Sequence, residues 1–158
     1  MRQRGVILEK IDSVLKDINR YFGFLFERGY KLRSADEYPR LNGNWIVVLE
    51  SQVCVIHFIC DRDAILISFG PLYFERDYRI GIKAMVYFIS KGEHFVGAFQ
   101  GNLFWNRQKQ FKELSILLRD YIDRIEPYFG NGFEKYKEEL MAVQIKYNSL
   151  AVKRIRMK

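Results

Sequence analysis

The stretch from Asn44 to Phe69 constrains the fold more than any other. It holds three short runs rich in Val, Ile and Phe: Asn44–Glu50, Val53–Cys60 and Ala64–Phe69. A short turn separates the first two. Asp61-Arg62-Asp63 separates the second and third, and Gly70-Pro71 closes the third. Runs of this length and composition, bounded by turn residues, read as strands. Their links are too short for the crossover that a parallel pair needs, so they predict an antiparallel meander. In the middle run Val53, Val55, His57 and Ile59 share one face, and Cys54, Ile56, Phe58 and Cys60 share the other. Both faces are apolar. That predicts a central strand covered on both sides, at least in part, with helices as the cover.

The helices are readable. Ile7, Leu8, Ile11, Val14, Leu15, Ile18, Phe22 and Leu25 recur at helical spacing, with Gly29 as the expected stop. Gly23 lies inside this run, where it either allows close packing or marks an early end. Tyr30–Arg33 reads as a short edge strand and Ser34–Asn44 as a loop containing Pro39 and Asn42-Gly43. Arg79–Lys91 carries Ile82, Met85, Val86 and Ile89 on one face, with Asp77 as a candidate N-cap and Gly92 as the stop. His94–Trp105 is compatible with a hairpin or an aromatic loop. Asn106–Ile125 is a helix that Pro127 is expected to end. Phe133 to about Arg154 is the last helix. The predicted fold class is α+β: an N-terminal helix, a three- to five-stranded antiparallel meander, then three helices packing on the sheet.

A chain of 158 residues suits one domain with a sizeable core. Residues 1–150 are expected to form it. Residues 151–158 are expected to be a basic tail, either the end of the last helix or disordered. With 49% hydrophobic and 16% aromatic residues the chain is not of the disordered class. No apolar run approaches the roughly 20 residues of a membrane span, and the apolar run at the N-terminus stops at Glu9, too soon for a signal peptide. The expected location is the cytoplasm. Two cysteines fit it. Cys54 and Cys60, placed six residues apart on one strand, would be roughly 20 Å apart and unable to pair. Their spacing matches no common zinc pattern, so both are expected to be small buried hydrophobes.

Motifs for chemistry are missing. The sequence contains no G-x-x-x-x-G-K-[ST], no G-x-G-x-x-G, no G-x-S-x-G and no H-E-x-x-H. It has two histidines, His57 and His94. A ribonuclease using both as acid and base is conceivable chemistry, with His94 the better titrating candidate. None of the 19 acidic residues has Lys two positions later, which removes a common metal-dependent nuclease signature. Asp61 and Asp63 flank a turn, where Asp serves a structural purpose as readily as a cation. No catalytic residue, metal or cofactor is assigned. The binding candidates are Tyr73, Phe74, Arg76, Tyr78, Arg79, Phe104 and Trp105. They are aromatics and arginines in predicted loops, and these types are enriched at protein-binding hot spots.

The framework resembles a loose group of small uncharacterised bacterial α+β proteins. The resemblance is carried by Phe24-Leu25 with Gly29-Tyr30, Trp45, Leu49-Glu50-Ser51, Val55-Ile56-His57-Phe58, and Asp61-Arg62. Leu114, Leu117-Leu118, Tyr121, Ile125 and Phe129-Gly130 continue it. Some members of that group are regarded as immunity proteins paired with secreted toxins. The segment order is also similar to small secretion chaperones, which are typically acidic dimers. The resemblance to the immunity group implies a non-enzymatic protein with a protein partner, a toxin in that case, blocked through the aromatic and arginine surface. The alternative is a nucleic-acid-binding protein. Net charge is +7, but residues 141–158 hold Lys146, Lys153, Arg154, Arg156 and Lys158 and no acid, leaving +2 for residues 1–140. The basic C-terminus would be the contact in that alternative. Basic residues at a helix C-terminus are also favourable against its dipole.

Overall fold

The computed structural model describes residues 2–38, 43–73, 78–97 and 106–156. The elements are α1 (Arg2–Glu27), β1 (Lys31–Tyr38), β2 (Asn44–Glu50), β3 (Val55–Asp61), β4 (Ala64–Gly70), β5 (Ile80–Gly81), α2 (Ile82–Ile89), α3 (Arg107–Phe129) and α4 (Phe133–Arg156). The five strands form one antiparallel sheet in sequence order. The fold is therefore α+β, with an N-terminal helix, a meander and later helices packed on the sheet. None of the described helices is long and apolar enough to cross a membrane.

Register explains the core. Trp45, Val47 and Leu49 lie opposite Cys60, Phe58 and Ile56, which lie opposite Ile65, Ile67 and Phe69. This face packs against the apolar stripes of α1 and α3. Phe22 of α1 meets Phe58 and Phe111 edge-on, at centroid distances of 4.8 and 5.4 Å. Edge-to-face rings at such distances add about 0.5–1.5 kcal/mol beyond the area they bury. Near the sheet's other end Phe69 stacks on Phe129 at 5.7 Å.

The opposite face is covered in part, as the sequence reading expects, but α1 and α3 are not its cover. Ile46, Val48, Val55, Ile59 and Leu66 point away from α1 and α3 and take no part in the main core cluster. Val48 and Val55 are buried all the same. Chain following β4 passes close to this face: a Cβ on Gly70 would stand 2.8 Å from the Tyr78 carbonyl oxygen and 3.7 Å from His57 Cε1.

Local corrections have physical reasons. The expected loop from Ser34 begins as strand, because β1 continues to Tyr38 along β2. Its alternation is broken where Arg33 is the extra residue of a bulge between Leu32 and Ser34. α1 does end at Gly29 (φ +94°), with Tyr30 N–H donating to Leu25 C=O and Gly29 N–H to Phe26 C=O, the bonding of a glycine-terminated helix. The helix passes through Gly23, with a kink at its neighbour Phe22. Nothing lies within 4 Å of a Cβ placed on Gly23, so close packing is not its purpose. Arg79 is not helical. Ile80 and Gly81 pair with β4, and α2 starts at Ile82 with Gly81 as N-cap; the alternative cap, Asp77, lies outside the described residues. α3 runs past Pro127 to Phe129. In a last turn, the bond proline cannot donate costs little when the orphaned carbonyl belongs to an exposed residue, here Asp123.

Candidate functional site

The sequence-predicted binding residues do not share one surface among those described. Tyr73 is 90% exposed just after β4. It lines a shallow depression with Arg33, Glu50, Ser51, Gln52 and Leu72, in which Arg33 and Glu50 approach to 3.5 Å. Tyr78 is half-buried and packs edge-on against Phe133 at 5.7 Å, as a structural aromatic does. Arg79 faces a different cleft. Phe74, Arg76, Phe104, Trp105 and Lys158 lie outside the described residues. Lys153 is exposed on α4, and the backbone of Arg154 and Arg156 continues that helix.

The cleft that takes Arg79 forms where β5 stops. β5 pairs only with Ser68 and Phe69. The Ala64–Ile67 part of β4 has no strand beyond it among the described residues. α2 begins at this point and α4 crosses nearby, enclosing a cavity of about 320 Å³. Its apolar lining includes Ile59, Leu66, Ile67 and Leu114, with Leu66 48% exposed at its rim. Its polar lining includes Ser68, Arg79, Lys83, Gln144 and Asn148. Among the described residues no Asp or Glu lines it.

Hydrogen bonds fix the cleft's walls. Gln144 Oε1 accepts from Gly81 N–H at 2.6 Å, and its Nε2 donates to Asn148 Oδ1 at 2.9 Å. Tyr147 Oη donates to the Val96 carbonyl, while its ring stacks on Phe95 at 5.3 Å. Lys83 Nζ donates to the Gly97 carbonyl at 3.0 Å, and burial pushes its ammonium down to about 8. Desolvation disfavours the charged form of a lysine. At the far end of the same strand edge, Gln110 Oε1 accepts from Ile65 N–H and its Nε2 donates to the Asp63 carbonyl, both at 2.8 Å.

The other sequence candidates have local employment. Asp61 accepts from Asn44 Nδ2 at 3.2 Å, and Asn44 Oδ1 accepts from Arg62 N–H at 3.0 Å, which ties down the β3–β4 turn. His94 is exposed, with Nδ1 2.8 Å from Tyr121 Oη, and Arg124 lies over the Tyr121 ring at 4.3 Å. Cys54 is buried 3.0 Å from Tyr30 Oη, and Tyr30 donates to Glu126 Oε1 at 2.8 Å. Arg28 reaches Glu126 Oε2 at 2.8 Å and Asp123 Oδ1 at 2.7 Å. Burial pushes the Cys54 thiol up to about 12 and, as the largest cause, also raises the Tyr30 phenol.

Sequence reasoning missed Ser68, Lys83, Gln144 and Gln110. Gln110 carried a usable signal. It sits four residues before Leu114 and eight before Leu118, a polar residue on the apolar stripe of α3. Such a position needs a hydrogen-bonding partner. The others carried none, because their grouping depends on strand pairing.

No family model, curated protein or solved structure matches the chain.

Proposed function

We propose that the protein is a non-enzymatic binding module that holds a protein partner at the corner of the sheet around Tyr73. One observation carries this: a tyrosine presented almost fully to solvent from the end of a packed sheet, beside the Arg33–Glu50 pair. Tyrosine supplies a large apolar ring and a hydroxyl at low entropic cost, and arginine adds a planar donor. The finer reading, an immunity or inhibitor protein that blocks a toxin, rests on the framework resemblance. The test is affinity capture with wild-type and Tyr73→Ala protein, followed by reconstitution from purified components. A one-to-one complex weakened at least about tenfold by Tyr73→Ala supports the reading. A complex indifferent to Tyr73, or a captured molecule that is turned over, refutes it.

A second reading, nucleic-acid binding, draws on α4. Lys146 and Lys153 are exposed there, and no acid follows Glu139. It requires an affinity that falls steeply with salt. Absence of binding at low ionic strength refutes it.

A further inference from the structure

Ser68 is only 7% exposed, and its Oγ has no hydrogen-bond partner among the described residues. A buried hydroxyl left unsatisfied is unfavourable, and it calls for a partner that arrives later. The β4–β5 register sets Ser68 directly opposite Gly81. Gly81 is the N-cap of α2. That helix has no side-chain cap and no acid in its first turn. A helix N-terminus in this state presents its first-turn N–H groups and the positive end of the dipole. Ser68, Gly81 and the first turn of α2 line the same cavity as Arg79 and Lys83.

We propose that this cleft binds a small organic acid, its carboxylate at the α2 N-terminus accepting from Ser68 Oγ and its apolar body lying along Ile59 and Leu66. The site is distinct from the Tyr73 corner, so the two readings stand or fall separately. Size favours a small ligand. A cavity of about 320 Å³ is at the low end of the roughly 300–1,000 Å³ of ligand pockets. It suits a medium-chain or aryl acid and not a dinucleotide. The same carboxylate chemistry exists at the C-terminus of a peptide. A peptide backbone would need the free edge of β4, and that edge is largely taken: β5 holds Ser68 and Phe69, and Gln110 holds the Ile65 N–H. The free acid is the better fit.

The lowered affinity of Lys83 for its proton fits the same picture. Its ammonium is desolvated in a cleft lined by no carboxylate among the described residues, and a bound anion would raise it again.

The experiment is calorimetric titration of the full chain with octanoate and, in parallel, with 1-octanol and with an apolar pentapeptide bearing a free C-terminus. Octanoate is expected to bind at least about tenfold tighter than 1-octanol, because only the acid uses the charged end of the site. Ser68→Ala should weaken octanoate about fivefold. Gly81→Asp supplies the sharpest arm. Gly81 has φ −65° and ψ 146°, which any residue adopts; a Cβ there meets the Gln144 amide oxygen at 3.3 Å, which the flexible side chain relieves by a shift of a few tenths of an ångström, and Gln144 Nε2 and the Ile67 carbonyl oxygen at 4.0 Å. Aspartate is a good N-cap, so the helix should be kept or strengthened while its own carboxylate occupies the site. Octanoate binding should then be lost with no fall in Tm. If Gly81→Asp does not fold, the octanoate-to-octanol ratio and Ser68→Ala decide. Equal binding of acid and alcohol overturns the proposal. So does absence of binding at millimolar octanoate, full affinity in Ser68→Ala or folded Gly81→Asp, or binding of the pentapeptide alone.

Discussion

Replacing Gln110 with Met tests how the sheet is closed at β4. Gln110 is fully buried. Its amide serves both the Ile65 N–H and the Asp63 carbonyl at 2.8 Å. Methionine has similar length and no hydrogen-bonding group of comparable strength. The Ile65 N–H would be left in a buried setting, at a cost of about 1–3 kcal/mol. The Asp63 carbonyl is partly buried, so water recovers some of its loss, which should be about 0.5–1 kcal/mol. Relief from burying an amide offsets a fraction of the sum. The net expectation is a loss of about 2–3 kcal/mol, or roughly 5–10 °C in Tm for a chain of this size. Urea unfolding gives the free energy. Amide hydrogen exchange at Ile65 gives the mechanism, since that proton should lose protection ahead of those in β3. A loss under about 1 kcal/mol with an unchanged urea slope, or unaltered protection at Ile65, would refute the reasoning. Gln110→Glu refines it. A glutamate there accepts from Ile65 in either form but donates to Asp63 only when protonated, so that variant should recover stability as pH falls.

Three further outcomes follow from the buried polar groups. Tyr30→Phe should cost about 1–2 kcal/mol, because it removes the donor to the half-buried Glu126; an unchanged urea midpoint would contradict that. In the native protein at pH 8 a thiol reagent should label Cys60 before Cys54, since Cys54 is fully buried with its thiol pushed up to about 12. Faster labelling of Cys54, read by peptide mass, would overturn the order. Lys83 is lowered to about 8 in the fold from an ordinary 10.5. Between those values the unfolded chain binds more protons, so stability should rise with pH in that window. The wild-type minus Lys83→Met difference in unfolding free energy should therefore increase from about pH 8 to 10.5, and a flat or falling difference would exclude the effect.

The parts of the fold legible in sequence were those with a repeated apolar signal. Val14, Ile18, Phe22 and Leu25 announced α1, and the β2–β4 runs announced the sheet. β1 was undercalled because an edge strand is apolar on little of its length: Ser34-Ala35-Asp36-Glu37 has no alternation to read, and the bulge at Arg33 shifts what there is. The helical reading of Arg79 failed because Ile80 serves β4 before the chain turns into α2. At the site, residue type alone pointed to Tyr73 and Arg79. It could not show that they face different depressions. Ser68 gains meaning only from standing opposite Gly81, and that pairing is a property of register.

The two edges of the sheet are handled by different means, and the difference accounts for the cleft. On β1, Lys31, Arg33, Asp36 and Glu37 together with the bulge discourage pairing with another chain. On β4 most of the edge is buried, Leu66 excepted, and its buried backbone groups need partners from within. Gln110 supplies one end and β5 the other. β5 is only two residues long because Gly81 must also start α2, and an N-cap cannot continue the ladder. The gap between the glutamine and the short strand becomes the cavity. The same constraint leaves Ser68 beside a helix N-terminus with no side-chain cap. A longer β5 would close the cleft and pair the remaining edge, giving a more ordinary sheet. Engineering one, by lengthening the segment before α2 with strand-forming residues, should raise stability and abolish octanoate binding together. Retention of binding in such a variant would show that the acid is held elsewhere.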